Sequence, residues 1–244
     1  MSLIEAEQHG AVALLRLNRP EKLNALSTAL ERELDAALDD ARVRSAGAIV
    51  IAGNERAFSA GADMSEIWEA GAADALAYYR DTGGVYERIA RLPQPSIAAI
   101  RGWCLGGGFE LALACDFRIA DSGATFGLPE VEIGIIPSSG GTVRLVKAIG
   151  ALRAKELILL RRRLPTAQVA ELGLVTEVVN GDPEARALAV AAELAELPAL
   201  AVELAKKAAD GAEDSSRDAA LLIEQLAYAA LAEAARGRMG WRNG

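Results

Sequence analysis

The sequence predicts an α/β fold in which helices surround a largely parallel sheet, and three observations lead to this prediction. Short, wholly apolar segments such as GAIVIA at 47–52 and SIAAI at 96–100 suit strands that are buried on both faces. These segments alternate with longer stretches of helical character, as they do in βα units. The length of 244 residues fits one α/β domain with an appendage, or two small domains.

The N-terminal part supplies a strand, a helix and a second strand. The run AVALLRL at 11–17 is predicted as a strand, and the NRPEK that follows it as a turn. Ser27 is a good N-cap for a helix that runs to about Arg42, with leucines 30, 34 and 38 on one stripe. GAIVIA then forms a strand that is apolar on both faces.

The central part repeats the order of strand, loop and helix. Residues 53–63 are rich in Gly, Asn, Ser and Ala and are predicted as a loop, and a helix follows over about 72–92. After two prolines, SIAAI at 96–100 is predicted as another buried strand. Three glycines at 106–108 then open an apolar helix that runs through Ala114.

The last part of the chain is mainly helical. Strands are predicted at 117–120 and 175–179, and the chain from Asp182 onward is predicted as helical. We therefore divide the chain into an α/β core, 1–190, and a C-terminal helical region, 191–244, which is suited to self-association.

Composition and charge exclude several classes of protein. The formal net charge is −8 and the isoelectric point is about 4.9, so nucleic acid is not an expected partner. Glu5 and Glu7 precede any apolar run, unlike a signal peptide, and the apolar stretches are shorter than the roughly 20 residues of a membrane helix. Cys104 and Cys115 lie in apolar surroundings and are expected to be reduced core residues. We expect a cytoplasmic protein that does not associate with membranes.

The single histidine restricts the chemistry that is open to this chain. His9 lies in a predicted turn, and a Ser-His-Asp triad, a Cys-His pair or a multi-histidine metal site would have to use it. We expect His9 to be a surface residue. Catalysis therefore falls to carboxylates, hydroxyls, backbone groups or lysine, and no metal site is predicted.

Two Gly/Ala-rich segments follow predicted strands, where ligands bind in open α/β sheets. They are FSAGAD at 58–63 and LGGGFE at 105–110. Three glycines at a helix start leave free backbone N–H groups, and the helix dipole adds positive charge there. This arrangement suits the stabilisation of an oxyanion. Tight packing of helix on strand is the alternative explanation of the glycines.

Two carboxylates lie close to these segments. Glu110 is in the first turn of the apolar helix, and Glu130 is at the edge of a turn in GLPEV. Two carboxylates around one pocket provide a general acid and a general base from one residue type. Each also has a plain structural explanation, since Glu110 complements a helix dipole and Glu130 is compatible with a solvated loop.

Longer motifs resemble the crotonase, or enoyl-CoA hydratase/isomerase, family. The main ones are FSAGADM at 58–64, GWCLGGGFELALACD at 102–116 and FGLPEVEIGIIPSSGGTVRL at 126–145. The shorter ones are LNRP at 17–20, NAL at 24–26 and GLV at 173–175. The resemblance runs in the family's order from about residue 4 to 208.

The resemblance implies a crotonase-like spiral of repeated ββα units with a C-terminal helical trimerisation region. It assigns the oxyanion hole to the backbone N–H groups of Ala62 and Gly107. Hydratase-type members use two glutamates, at the positions of Glu110 and Glu130, whereas many relatives with other chemistry keep one. The implied reaction is the addition of water to a 2-enoyl-CoA, which gives a 3-hydroxyacyl-CoA. In it Glu110 activates the water that attacks Cβ, and Glu130 protonates Cα.

The resemblance also implies where an acyl-CoA thioester binds. Coenzyme A is part of the substrate, so no separate cofactor is implied, and the expected assembly is a homotrimer or a dimer of trimers. The residues implied to contact the thioester and CoA are Lys22, Leu23, Ala25, Ala60, Asp63, Met64, Gly106, Pro129 and Gly134. Arg19 is a further candidate for the CoA phosphates, and the candidates for the acyl pocket are Trp68, Tyr78, Tyr79 and Trp103.

Two segments depart from the family pattern. ARGRMGW at 235–241 replaces the usual aromatic residue and Lys/Arg motif of the tail, and RRR at 161–163 replaces a turn and is interpreted as structural. Two other functions stay open. A Δ3,Δ2-enoyl-CoA isomerase needs only the carboxylate at Glu130, and a non-catalytic acyl-CoA-binding protein needs neither glutamate.

Overall fold

The structure is a computed structural model that describes residues 2–67 and 84–239, and it has the α/β architecture that the sequence predicts. The larger sheet consists, in chain order, of β1 (Ile4–His9), β2 (Val12–Leu17), β3 (Ala48–Ala52), β5 (Ser96–Ile100), β7 (Phe117–Asp121) and β10 (Glu177–Val179). The smaller sheet consists of β4 (Ala57–Ser59), β6 (Trp103–Leu105), β8 (Thr125–Gly127) and β9 (Leu164–Pro165).

Ten helices complete the described part of the chain. They are α1 (Thr28–Ala37), α2 (Ala41–Arg44), α3 (Met64–Ile67), α4 (Gly84–Ala90), α5 (Gly107–Ala114), α6 (Gly141–Leu159), α7 (Thr166–Glu171), α8 (Pro183–Ala195), α9 (Ala199–Asp214) and α10 (Arg217–Met239). Two short 3-10 helices, Pro20–Lys22 and Glu130–Ile133, lie in connections.

The two sheets are built from a repeating unit of two strands and a helix. The larger sheet has the order β1-β2-β3-β5-β7-β10, and all of its pairs are parallel except β1 with β2. After β3, β5 and β7 the chain enters the smaller sheet through β4, β6 and β8, and then forms a helical segment. This succession is the ββα repeat that the resemblance implies. It brings the ends of β4 and β6 side by side, because these two strands pair in parallel.

The middle strands β3 and β5 of the larger sheet are covered on both faces, which explains their almost wholly apolar sequences. In β3, Ala48 and Val50 pack towards α8, where they meet Ala187 and Ala191. The intervening residues of the same strand point to the opposite face, where they join the main core with residues of α1, α4 and α5. Burial on both faces removes the need for polar residues in these strands.

Several element boundaries differ from the prediction. The helix expected to reach Arg42 ends at Ala37, because Asp40 caps a separate short helix through the Arg42 N–H. The segment 53–63, which was predicted as a loop, contains the strand β4. The sequence pattern also did not predict the strands β1, β6, β8 and β9. Of the helix predicted over 72–92, only the part from residue 84 lies within the described residues.

The C-terminal helices are less buried than the rest of the described chain. Helix α8 packs on β2, β3, β5 and β7, and it crosses the boundary at residue 190 that divides core from helical region. Helices α9 and α10 pack mainly on each other, and α9 contains no buried residue. Among the described helices, none combines the length and hydropathy that are needed to cross a membrane.

Candidate active site

The two Gly/Ala-rich segments of the sequence meet where β4 and β6 end. Helix α5 begins at Gly107, and the half-buried Ala62 lies beside that helix start. A Cβ atom built on Gly107 would lie 3.7 Å from the Ala62 nitrogen. The two residues implied to form an oxyanion hole are therefore neighbours in space, although the strands β5 and β6 lie between them in the chain.

Local backbone bonding leaves the Ala62 and Gly107 N–H groups available. Around Ala62, the Leu26 N–H donates to the Gly61 carbonyl (2.8 Å) and the Asp63 N–H donates to the Leu26 carbonyl (2.8 Å), so this bridge does not use the Ala62 N–H. Gly107 is the first residue of α5, where an N–H has no acceptor within the helix. Two donors at a helix start can polarise a carbonyl oxygen and stabilise an oxyanion.

Glu110 is held at the start of a second helix. Its side chain is buried, with 3% of the residue exposed, and its Oε1 accepts hydrogen bonds from the N–H groups of Ser139 (2.8 Å) and Gly141 (2.9 Å). Gly141 is the first residue of α6, so the carboxylate lies at the positive end of that helix dipole. A Cβ atom on Gly141 would lie 2.6 Å from Glu110 Oε1, and only glycine permits this approach.

Glu130 is buried without comparable hydrogen bonds. It is the first residue of the 3-10 helix Glu130–Ile133 and is 9% exposed, and neither carboxylate oxygen has a hydrogen-bond partner within the described residues. Its Oε1 faces Gly106, on which a Cβ atom would lie only 3.2 Å away. Gly106 itself has φ of 52° and ψ of −130°, a conformation that other residues rarely adopt. The carboxyl group thus faces the residue that precedes α5.

The two carboxyl groups differ in how their charge is stabilised. Burial raises the pKa of Glu130 to about 7; its own backbone N–H opposes this shift, and the negative charge of Glu110 adds to it. Burial also raises the pKa of Glu110, but the N–H groups of Gly141 and Ser139 and the charge of Arg144 oppose that shift. Hydrogen bonds donated to a carboxylate favour its charged form. The environment therefore favours the proton on Glu130 and the charge on Glu110.

Several of the residues implied to contact CoA lie on two adjoining loops. The Ala60 N–H donates to the Leu23 carbonyl (3.0 Å), which ties the loop 23–25 to the loop 60–64. Leu23, Ala25 and Ala60 are half-buried, whereas Lys22, at the end of the 3-10 helix, is exposed.

Asn24 organises this loop, and its role could not be assigned from the sequence. It is fully buried, has φ of 54°, and donates from Nδ2 to the carbonyls of Ala57 (3.1 Å) and Phe58 (3.2 Å). Its Oδ1 accepts from the Arg19 N–H (2.9 Å). Asparagine tolerates the left-handed conformation and replaces turn hydrogen bonds with its side chain.

Asp63 and Arg19 pair with each other. Arg19 Nη1 lies 2.6 Å from Asp63 Oδ2 and 3.1 Å from the Ala25 carbonyl. Hydrogen bonds from the Ser65 hydroxyl, and then from Arg19, lower the pKa of Asp63 to about 2. These two side chains thus hold the loops together, and a contact of Arg19 with a CoA phosphate would compete with the ion pair.

The remaining candidates are dispersed. Met64 is half-buried at the start of α3, Pro129 is the half-buried N-cap of the 3-10 helix Glu130–Ile133, and Gly134 is its exposed C-cap with φ of 78°. Trp103 is exposed in β6. The other predicted pocket residues, Trp68, Tyr78 and Tyr79, lie outside the described residues, as does Trp241 of the tail.

A cavity in the described part of the chain is separate from this site. A cavity of about 870 Å³ lies between α5, α6 and α9, and its lining includes Leu113, Cys115 and Lys206 but neither glutamate and neither oxyanion residue. Within residues 2–67 and 84–239, no group of three or more His, Cys, Asp or Glu side chains is placed to hold a metal ion.

Comparison with known proteins shows the family to which this chain is similar. A family model described as Enoyl-CoA hydratase/isomerase matches residues 7–243. A curated relative named "Probable enoyl-CoA hydratase", from Rhizobium meliloti (strain 1021), is 46% identical over 205 residues, which cover 83% of this chain and 79% of that protein.

Solved structures agree over nearly the whole chain. An enoyl-CoA hydratase from Thermoplasma volcanium GSS1 has a TM-score of 0.90 at 33% identity and covers 100% of this chain and 98% of its own. A protein of Thermobifida fusca YX, solved in complex with CoA, has a TM-score of 0.87 at 30% identity and covers 96% and 95%. The chain therefore belongs to the enoyl-CoA hydratase/isomerase family.

Proposed function

We propose that this protein hydrates 2-enoyl-CoA thioesters to 3-hydroxyacyl-CoA. The thioester carbonyl oxygen accepts hydrogen bonds from the N–H groups of Ala62 and Gly107, which lie side by side at the start of α5. Charge that develops on this oxygen during attack at Cβ is stabilised by the two donors, and each well-aimed donor contributes about 3–4 kcal/mol in a transition state. The reaction then needs a base for water and an acid for Cα.

The two glutamates supply these roles in a defined order. Glu110, held by Ser139 and Gly141, keeps its charge more readily and takes the proton of the attacking water. Glu130, with a pKa of about 7, carries a proton in an appreciable fraction of molecules at neutral pH and delivers it to Cα. Water adds across the double bond, and the starting state returns when Glu110 releases its proton to solvent and Glu130 takes one up from solvent.

The difference in hydrogen bonding between Glu110 and Glu130 is the observation that carries this proposal. A protein that only binds acyl-CoA gains nothing from two buried carboxyl groups beside the thioester, since burying them is costly.

The proposed steps use these glutamates and backbone N–H groups, so they call for no cofactor beyond the CoA of the substrate. The acyl-CoA ligand is supported by the relative that was solved with CoA. A cytoplasmic location stays a prediction from the sequence.

The test is turnover of crotonyl-CoA and longer 2-enoyl-CoA esters, followed by loss of the enoyl-thioester absorbance and by mass identification of the product. We expect a 3-hydroxyacyl-CoA, 18 Da heavier than its substrate because one water (about 18 Da) is added. Glu132→Gln serves as a control, because it removes a nearby but exposed carboxylate. Binding of the esters by calorimetry without product at any chain length would contradict the proposal.

We further propose that α10 forms a contact between copies of this chain in a homotrimer or a dimer of trimers. Its large apolar side chains are exposed in the isolated chain, and Tyr228 is 75% exposed and Leu226 62%. Leu221, Leu222 and Ile223 are also exposed on this helix. Exposed apolar side chains on one helix are typical of an interface.

Light scattering after size-exclusion chromatography tests this second proposal. We expect a mass of three or six chains, and Leu226→Glu should lower it because it places a charge in the contact. Glu224→Gln, on the same helix, is the control for a change that leaves the apolar side chains intact. A wild-type protein that elutes as a single chain would contradict it.

A further inference from the structure

A buried carboxyl group that takes no part in the proposed steps lies close to the oxyanion hole. Glu31 in α1 is 1% exposed, and its Oε1 accepts a hydrogen bond of 2.7 Å from the Tyr86 hydroxyl of α4. Tyr86 is also buried. Its neighbours on α1, Leu30 and Leu34, are apolar and buried. A glutamate beside them calls for an explanation, because burying its carboxyl group is costly.

The Tyr86 hydroxyl lies close to the start of α5. A Cβ atom on Gly107 would lie 3.4 Å from the Tyr86 hydroxyl oxygen, 3.3 Å from Leu26 Cδ1 and 3.7 Å from the Ala62 nitrogen. The hydroxyl group and the two proposed oxyanion donors therefore border the same small space. Glu31, on the far side of the hydroxyl, fixes its position through a hydrogen bond between residues 55 positions apart.

We infer that Tyr86 and Glu31 are positioning residues of the oxyanion hole, an inference that rests on the proposed function. Gly107 has no side chain of its own and, as the first residue of α5, no intrahelical bond for its N–H, so neighbouring groups must limit the movement of its peptide. The Tyr86 hydroxyl borders the position that a Gly107 Cβ atom would occupy, and its hydrogen bond to Glu31 restrains the hydroxyl there. A preorganised donor stabilises the transition state more than a mobile one does.

The distinguishing measurement is the infrared carbonyl stretch of bound hexanoyl-CoA carrying ¹³C at the thioester carbonyl. This saturated ester does not react, and hydrogen bonds from the oxyanion donors lower its stretching frequency. We expect Tyr86→Phe to raise the bound frequency towards the value in solution. With crotonyl-CoA it should lower kcat about tenfold at nearly constant KM, less than the 10²–10³-fold loss that follows removal of a donor.

Matched variants separate positioning from stability. Glu31→Gln keeps an acceptor for the hydroxyl and should retain the wild-type stretch, whereas Glu31→Leu should behave like Tyr86→Phe. Thr166→Val removes another buried hydroxyl, which donates to the Asp121 carbonyl at 2.7 Å, and should reduce stability while the stretch and kcat stay unchanged.

The inference is overturned if Tyr86→Phe and Glu31→Leu keep the wild-type stretch and kcat and only lose stability, as Thr166→Val does. If Tyr86→Phe does not fold, the comparison of Glu31→Gln with Glu31→Leu decides by the same criteria. A wild-type protein that binds hexanoyl-CoA but hydrates no enoyl-CoA contradicts the proposed function alone, since the carbonyl stretch still reports on the two positioning residues. A wild-type protein that does not bind the ester overturns both.

Discussion

Replacing Glu130 by glutamine should change how the stability of this protein depends on pH. Burial raises the pKa of Glu130 from 4.5 to about 7, and at about 1.4 kcal/mol per pKa unit this amounts to about 3 kcal/mol. The native state holds this proton more tightly than the unfolded chain does. The stabilisation is therefore fully present below pH 4.5, declines as pH rises, and is lost once pH exceeds about 7. Glutamine has no such proton, so in Glu130→Gln this contribution disappears.

The assay is urea unfolding of the wild type and Glu130→Gln between pH 4 and 8.5, at one fixed protein concentration. The buried amide of glutamine has a cost of its own, about 1–3 kcal/mol, but this cost does not depend on pH. The informative quantity is the difference between the two free energies of unfolding, which should shift by about 3 kcal/mol in favour of the variant across the range. Glu132→Gln is the control for loss of an exposed carboxylate. A difference that stays constant with pH would refute the reasoning that burial holds a proton on Glu130.

Three further predictions concern activity. In the hydration of crotonyl-CoA, kcat/KM should fall as pH rises above about 7, because Glu130 must be protonated to act as the acid; a profile that stays flat to pH 9 would contradict this assignment. Glu110→Gln should lower hydration by about 10²–10⁴-fold, as loss of a general base does. Retention of most activity would instead favour the isomerase, and assays with a 3-enoyl-CoA would show it directly. Gly141→Ala should lower kcat at least about tenfold, because its Cβ would lie 2.5 Å from Glu110 Cγ and displace the carboxylate. Gly84→Ala adds a Cβ atom that has no atom of the described residues within 4 Å, so it should leave kcat unchanged; equal effects of the two substitutions would rule out the steric explanation.

The sequence predicted the larger sheet better than the smaller one, for a physical reason. Strands such as AIVIA and SIAAI are buried on both faces, so their own residues are uniformly apolar and the signal is local. The strands β4, β6 and β8 have three residues each and form through pairing with segments far away in the chain. Three residues carry too little periodicity to identify a strand. The missed strands of the smaller sheet are thus those whose existence depends on distant partners.

The sequence by itself determined the α/β class, the glycines that open α5 and the two glutamates, and the resemblance connected them to a thioester. The resemblance also implied a different role for each glutamate, but only the tertiary structure shows the surroundings that set their protonation. The hydrogen bond of Glu110 to Ser139 spans 29 positions, and the partners of Tyr86 and Asn24 lie on other elements. Burial and hydrogen bonding decide which carboxyl group keeps its proton, and both arise when distant segments pack together. The candidates for the reacting groups are therefore found from local information, whereas their protonation and orientation are properties of the fold.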